Sequence, residues 1–225
     1  MSESPTDPIT PLARELMHPN PAGYQQLVVP DRTPTAATEL LGSITADQLV
    51  TNPAASRVLG AAMLAGLWLW HDGLAQCHRI AQKSPEELNR SSESSRRSLE
   101  MFGERNPSAS PGPASLDLSA TLAFWHAIMH RREGDFSNSK YWYARCDGHP
   151  AFASIAATAG PIVNRCAADK RLLRLIVRGW DPRAMVDLVE QLHDEPQNPL
   201  YAVAVELQQI EWRMLMETCA AAATV

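Results

Sequence analysis

Apolar positions in this chain recur every three or four residues through most of its length, and no stretch alternates β-branched with polar residues long enough to make a sheet. That periodicity predicts an all-α fold. The strongest segment starts at Asn52-Pro53, an N-cap with proline at the first helical position, where its missing N–H costs nothing. Nothing breaks the helical pattern from there to about residue 82. Across 58–70 it is apolar on nearly every face, which marks a central helix surrounded by others. His71 and His78 then fall two turns apart on the stripe of Leu64, Leu67, Trp68, Leu74 and Ala75, so both are expected to face inward.

Trp125 and the residues after it, WHAIMHRREGDFSNSKYWYARCDGHP, carry the densest information. His126, His130 and Glu133 lie on one stripe of a helix, flanked by Leu122, Ala123 and Met129. Gly134-Asp135 breaks that helix, and 136–146 reads as a second one rich in aromatics, giving an αα-hairpin expected to pack on the central helix. Ser84-Pro85-Glu86-Glu87 starts a short helix between the two, with a capping serine and first-turn acids. Further helices are expected over 151–158, 161–167, 170–178, 182–193 and 199–219, the last two again opened by Asp-Pro and Asn-Pro. The last five residues are expected to fray.

Seven prolines between Pro5 and Pro34 limit residues 1–35 to an arm along the body with short helices over 12–17 and 22–28. Weak helical segments follow over 36–41 and 46–50. Residues 91–115 lose their apolar content and become serine- and proline-rich, so they read as a flexible insertion that cannot bury enough surface to order itself. The hairpin needs the central helix to cover its apolar face, so 36–220 is expected to be a single globular helical domain.

Composition narrows the functional classes. At 225 residues with 45% apolar content, the chain is long enough for a substantial core. A net charge of −5 argues against nucleic acid or an anionic membrane as partner. The apolar run over 58–70 is well short of the roughly 20 residues needed to span a bilayer. Four widely spaced cysteines and an acidic, proline-rich start suit reduced thiols and a cytoplasmic location.

Ala127, Gly134-Asp135-Phe136, Ser139, Tyr143, Cys146 and Pro150 together resemble one tetratricopeptide repeat unit, with His126 and His130 where such a unit usually has large apolar residues. No second copy follows one period later. The combination of WHD, WHAIMHRREGD and KYW is also similar to a group of uncharacterised bacterial helical proteins, a resemblance that implies no activity. His71-Asp72 resembles the dipeptide of the His-Asp phosphohydrolases, which need another histidine on an earlier helix; His18, between prolines, is the sole candidate.

The candidate chemistry is a pocket between the central helix and the hairpin. Imidazoles four apart on a helix reach one ion, and a neighbouring helix supplies a third ligand. Candidate ligands are His126 and His130 with His71, and with His78, Asp72 or Glu133 completing the set; Glu133 or Asp72 would accept a proton. Zinc, iron and manganese all suit such ligands. The alternative is that these histidines are core residues bonded to carbonyls or to Asp72 and Glu133. Arg131, Arg132, Asp135 and Arg145 around the hairpin turn are candidates to hold an anionic ligand, or else pair among themselves. Trp125 and Trp142, with Trp68 and Trp70, are core or line a small-molecule cavity. The partner is then a small molecule or, if the hairpin works as a repeat unit does, a peptide or protein.

Overall fold

The computed structural model describes residues 11–17, 24–30, 34–50, 57–96, 116–166 and 169–224. Their regular secondary structure is helical, apart from one isolated bridge between Val177 and Gly179. In chain order the helices are α1 (Pro11–Met17), α2 (Thr35–Leu41), α3 (Arg57–Trp70), α4 (Leu74–Ala81), α5 (Pro85–Arg96), α6 (Leu118–Glu133), α7 (Phe136–Tyr143), α8 (Ala151–Arg165), α9 (Lys170–Arg174), α10 (Pro182–Leu192) and α11 (Pro199–Thr224), with a 3-10 turn at Ala46–Leu49. None of the described helices is long and apolar enough to cross a membrane.

Helix α3 lies at the centre, against α4, α6 and α11. Its Gly66 is required by packing: a Cβ there would meet the Trp125 ring at 2.8 Å. Trp212 of α11 donates from Nε1 to the Gly66 carbonyl at 2.7 Å, fixing α11 against the same point. The hairpin α6–α7 packs beside it, its turn made by Gly134 in the left-handed region (φ 89°) and by Asp135, whose side chain caps α7. At the helix contact, Ser139 donates to the Ala127 carbonyl at 2.8 Å.

Several elements depart from the pattern expected of the sequence. The expected helix over 52–82 is two helices, broken at His71-Asp72-Gly73, and its Asn52-Pro53 start lies outside the described residues. Asp72 takes φ 59°, a conformation aspartate tolerates better than most residues, and a Cβ at Gly73 would meet Trp68 at 2.6 Å. Helical periodicity does not register such a turn, because apolar residues resume on its far side. Conversely, 151–158 and 161–167 are joined in α8 with Pro161 inside it. Pro161 and Ala157, whose carbonyl loses its partner, are both exposed, so that group is open to solvent rather than buried. Helix α9 ends at Arg174 rather than 178, because Gly179 (φ 99°) turns the chain and Asp181 N–H returns to the Leu175 carbonyl. Residues 24–28 are not helical, α5 runs six residues into the expected insertion, and α11 continues through the expected frayed end. The rest of the insertion, 97–115, lies outside the described residues.

Helix α6 is buried on every face from Ala120 to Arg132, although it ends in consecutive histidine and arginine residues. Each arginine has an acid partner. Arg131 pairs with Glu211 of α11, both fully buried, and donates to the Tyr143 hydroxyl at 2.8 Å. Glu211 also accepts from Tyr143 and from the Trp180 indole, each at 3.1 Å. Arg132 lies 2.9 Å from Asp72, donates to the Leu69 and Gln26 carbonyls, and stacks on the Tyr24 ring at 3.9 Å. The expected arm is thereby clamped to the body at residues 24–30, where Val29 N–H also bonds the Arg132 carbonyl at 2.8 Å.

Candidate metal centre

The turn at His71-Asp72-Gly73 decides which histidines meet. It re-aims α4, so that His78 lies against α6 while His71 is left on the other side of the break. His78, His126 and His130 each offer a ring nitrogen, and these atoms all lie within 4.8 Å of one another. His126 and His130, one turn apart on α6, stack with centroids 4.7 Å apart, and His78 meets both edge-on at 4.8 and 5.5 Å. Trp142 of α7 covers the outer face of His126, its ring 4.0 Å away and nearly parallel. The same Trp142 lines a cleft of about 350 Å³ between the α4–α5 junction and α6, so one ring's thickness stands between that cleft and His126.

His126 is 2% exposed, and neither of its ring nitrogens has a hydrogen-bond partner among the described residues. Burial, and then the neighbouring His130 and His78, push its pKa down to about 3, so the ring is neutral across the physiological range. An uncharged imidazole with a free lone pair is the form that binds a metal.

His130 is held differently. The Asn138 amide donates to its Nε2 at 3.0 Å, so its Nδ1 carries the proton and donates to Glu133. A carboxylate on the far nitrogen fixes the ring's tautomer and orientation. Asn138 occupies the lone pair that an ion would use and has to swing aside for ligation. Glu133 is thus a positioning group beside the trio. It also forms a second cluster with His130 and Asp135, but Asp135 is committed to α7, accepting from Asn138 N–H and the Ser137 hydroxyl at 3.0 Å each. Those bonds lower the Asp135 pKa, the Asn138 N–H most.

Most of the remaining candidates lie elsewhere. His71 bonds the Leu16 carbonyl through Nε2 at 2.7 Å and shares a separate cleft with Asp72, away from the trio. Burial lowers its pKa, against the opposing effects of the Leu16 bond and Asp72. Arg131 and Arg132 are buried in their ion pairs and present no donor to a ligand at the turn. Trp125 is fully buried core against Gly66 and Trp212. Arg145 is exposed, lies over the Tyr141 ring at 3.7 Å, and is alone among these in lining the same cleft as Trp142. Cys77, next to His78, is fully buried, and burial raises its thiol pKa far above the usual range, which makes it a poor nucleophile. His18 lies outside the described residues.

Asn138 was not a candidate in the sequence, yet it stands four residues before Trp142, so α7 presents both on the face that meets α6. Glu211 was also passed over; a lone acid inside the apolar α11 run LQQIEWRMLM was its signal. The chain matches no protein-family model, no curated protein and no solved structure, so what it does has to be read from its own residues.

Proposed function

We propose that His78, His126 and His130 bind a divalent transition-metal ion, zinc, iron or manganese, and that the protein's chemistry is carried out there on a small molecule. The observation that carries this reading is His126. Leaving a buried polar atom without a partner costs about 1–3 kcal/mol, and His126 leaves two in a ring whose immediate neighbours are also imidazoles. A core histidine of the ordinary kind bonds a carbonyl, as His71 does with Leu16. An ion would satisfy the lone pair and draw the three rings together. Tetrahedral ligation at about 2.0–2.1 Å places nitrogens roughly 3.3 Å apart, so the side chains would close by at most about 1.5 Å from their present limit of 4.8 Å.

Three neutral nitrogen ligands leave a fourth position for water or substrate. Glu133 would hold His130 in the ligating tautomer, and Trp142 would limit access from the cleft. Cobalt(II) titration of the tag-free full chain tests the reading. Visible d–d bands of an imidazole-bound tetrahedral ion that appear in the wild type and vanish in His78→Ala and His126→Phe support it. A featureless titration refutes tetrahedral binding at the trio.

A further inference from the structure

The break that removes His71 from the trio places it in a second site. His71, Asp72 and Glu39 line a cleft of about 590 Å³ between α2 and the α3–α4 turn, a volume suited to a small molecule. His71 is only 5% exposed, and its Nε2 bonds the Leu16 carbonyl. Because a carbonyl only accepts, Nε2 carries the proton and Nδ1 holds the lone pair. Nδ1 has no partner among the described residues. A histidine this buried, with one nitrogen anchored and the other unpaired beside a cleft, is a preset acceptor.

Among the described residues, the polar groups that face this cleft unbonded are acceptors. Glu39 on α2 is exposed and brings a full negative charge. Asp72 lies with one oxygen 2.9 Å from the fully buried Arg132, which offsets its charge without a hydrogen bond between them, and its other oxygen has no partner among the described residues. Among the described residues no lysine or arginine lines the cleft, and Pro34, Ala36 and Leu40 supply an apolar wall. Asp72 is kept in a left-handed conformation (φ 59°) at this position, a conformation costly for most residues and often found at binding sites.

We propose that this cleft binds a small primary amine in its ammonium form, with an aliphatic portion against Leu40. The ammonium group carries only donors, which matches a cleft whose described polar groups, an imidazole lone pair and two carboxylates, accept. Glu39 supplies the net attraction, while His71 and Asp72 give direction. This site is independent of the metal reading, since none of its residues belongs to the trio.

The test is NMR titration of the tag-free full chain with n-butylamine at neutral pH, alongside n-butanol and butyrate. Saturable shifts with butylamine, centred on 36–40 and 71–72 and at least tenfold weaker with butanol, are expected. Glu39→Gln, an exposed change that leaves the core intact, should weaken butylamine binding about tenfold. His71→Phe should do so at least as strongly, its folding checked by the unchanged amide spectrum of α6 and α11. Butyrate binding as well as butylamine would overturn the proposal by showing that the amides at the start of α2 dominate. So would an absence of saturable shifts, or shifts that survive both substitutions.

Discussion

Glu211→Gln is the substitution that most directly tests how the core holds the hairpin. Gln keeps the size of Glu and an oxygen for the Tyr143 hydroxyl and Trp180 indole, each now 3.1 Å from Glu211. It removes the charge that balances Arg131. Both partners of that pair are fully buried, and the Arg131 guanidinium cannot shed its proton to escape. Burial opposes the Arg131 charge, but Glu211 and then Tyr143 and Tyr24 more than compensate and raise its pKa. Breaking such a pair from one side costs about 3–5 kcal/mol, because the remaining charge stays buried and uncompensated. That is a large share of the roughly 5–15 kcal/mol that separates folded from unfolded domains. Replacing both partners, Arg131→Met with Glu211→Gln, removes the stranded charge and is expected to recover more than half of the loss. The assay is equilibrium urea unfolding of the four members of the cycle, followed by tryptophan fluorescence. A cost below about 1 kcal/mol for Glu211→Gln, at an unchanged urea dependence, would refute the reasoning, as would a double variant no more stable than the single one.

The histidines give further expectations. His149 accepts from Ala151 N–H at Nδ1 (3.2 Å) and faces the Thr121 hydroxyl at Nε2 (3.1 Å), and burial pushes its pKa down to about 4 despite nearby Asp117. Its folded pKa lies below the unfolded value near 6.5, so its contribution is complete above that pH and falls by up to about 1.4 kcal/mol per unit toward pH 4. Urea midpoints measured from pH 7 to 4.5 should therefore fall less steeply in His149→Asn, and parallel curves would count against this. His126→Phe should stabilise the metal-free protein by about 1 kcal/mol or more, since it removes two orphaned nitrogens while retaining a ring against Trp142; a lower melting temperature would show that His126 has partners after all. Metal affinity should move in opposite directions when the two groups bonded to His130 are changed. Asn138→Ala frees its Nε2 and should tighten binding severalfold, whereas Glu133→Gln weakens the orienting bond and should loosen binding about 10- to 100-fold in calorimetric titration. Equal effects of the same sign would contradict those roles.

The all-α class was legible because helical periodicity and the start signals at Ser84, Asp181 and Asn198 are local properties of the sequence. So was the pairing of His126 with His130, since four residues on a helix fix their separation. The third member of the trio was not. Periodicity placed His71 and His78 on one stripe, but Asp72 and Gly73 turn the chain between them, and that turn depends on the long-range pairing of Asp72 with Arg132 and on close packing against Trp68. The arginines misled for the same reason. Consecutive charges at a helix end read as surface, and only Glu211, 80 residues away, accounts for the burial of Arg131. Pro161 shows the converse, a break signal overridden because the carbonyl it leaves unbonded faces water.

Bound metal after equilibrium dialysis tests the central claim most directly. The tag-free chain and its His126→Phe variant would be dialysed against zinc, iron(II) and manganese(II) in turn and analysed by mass spectrometry, with circular dichroism confirming that both are folded. The geometry of His78, His126 and His130 predicts close to one ion per chain for at least one metal in the wild type and none in the variant. No metal retained by the wild type, or equal retention by the folded variant, would contradict it.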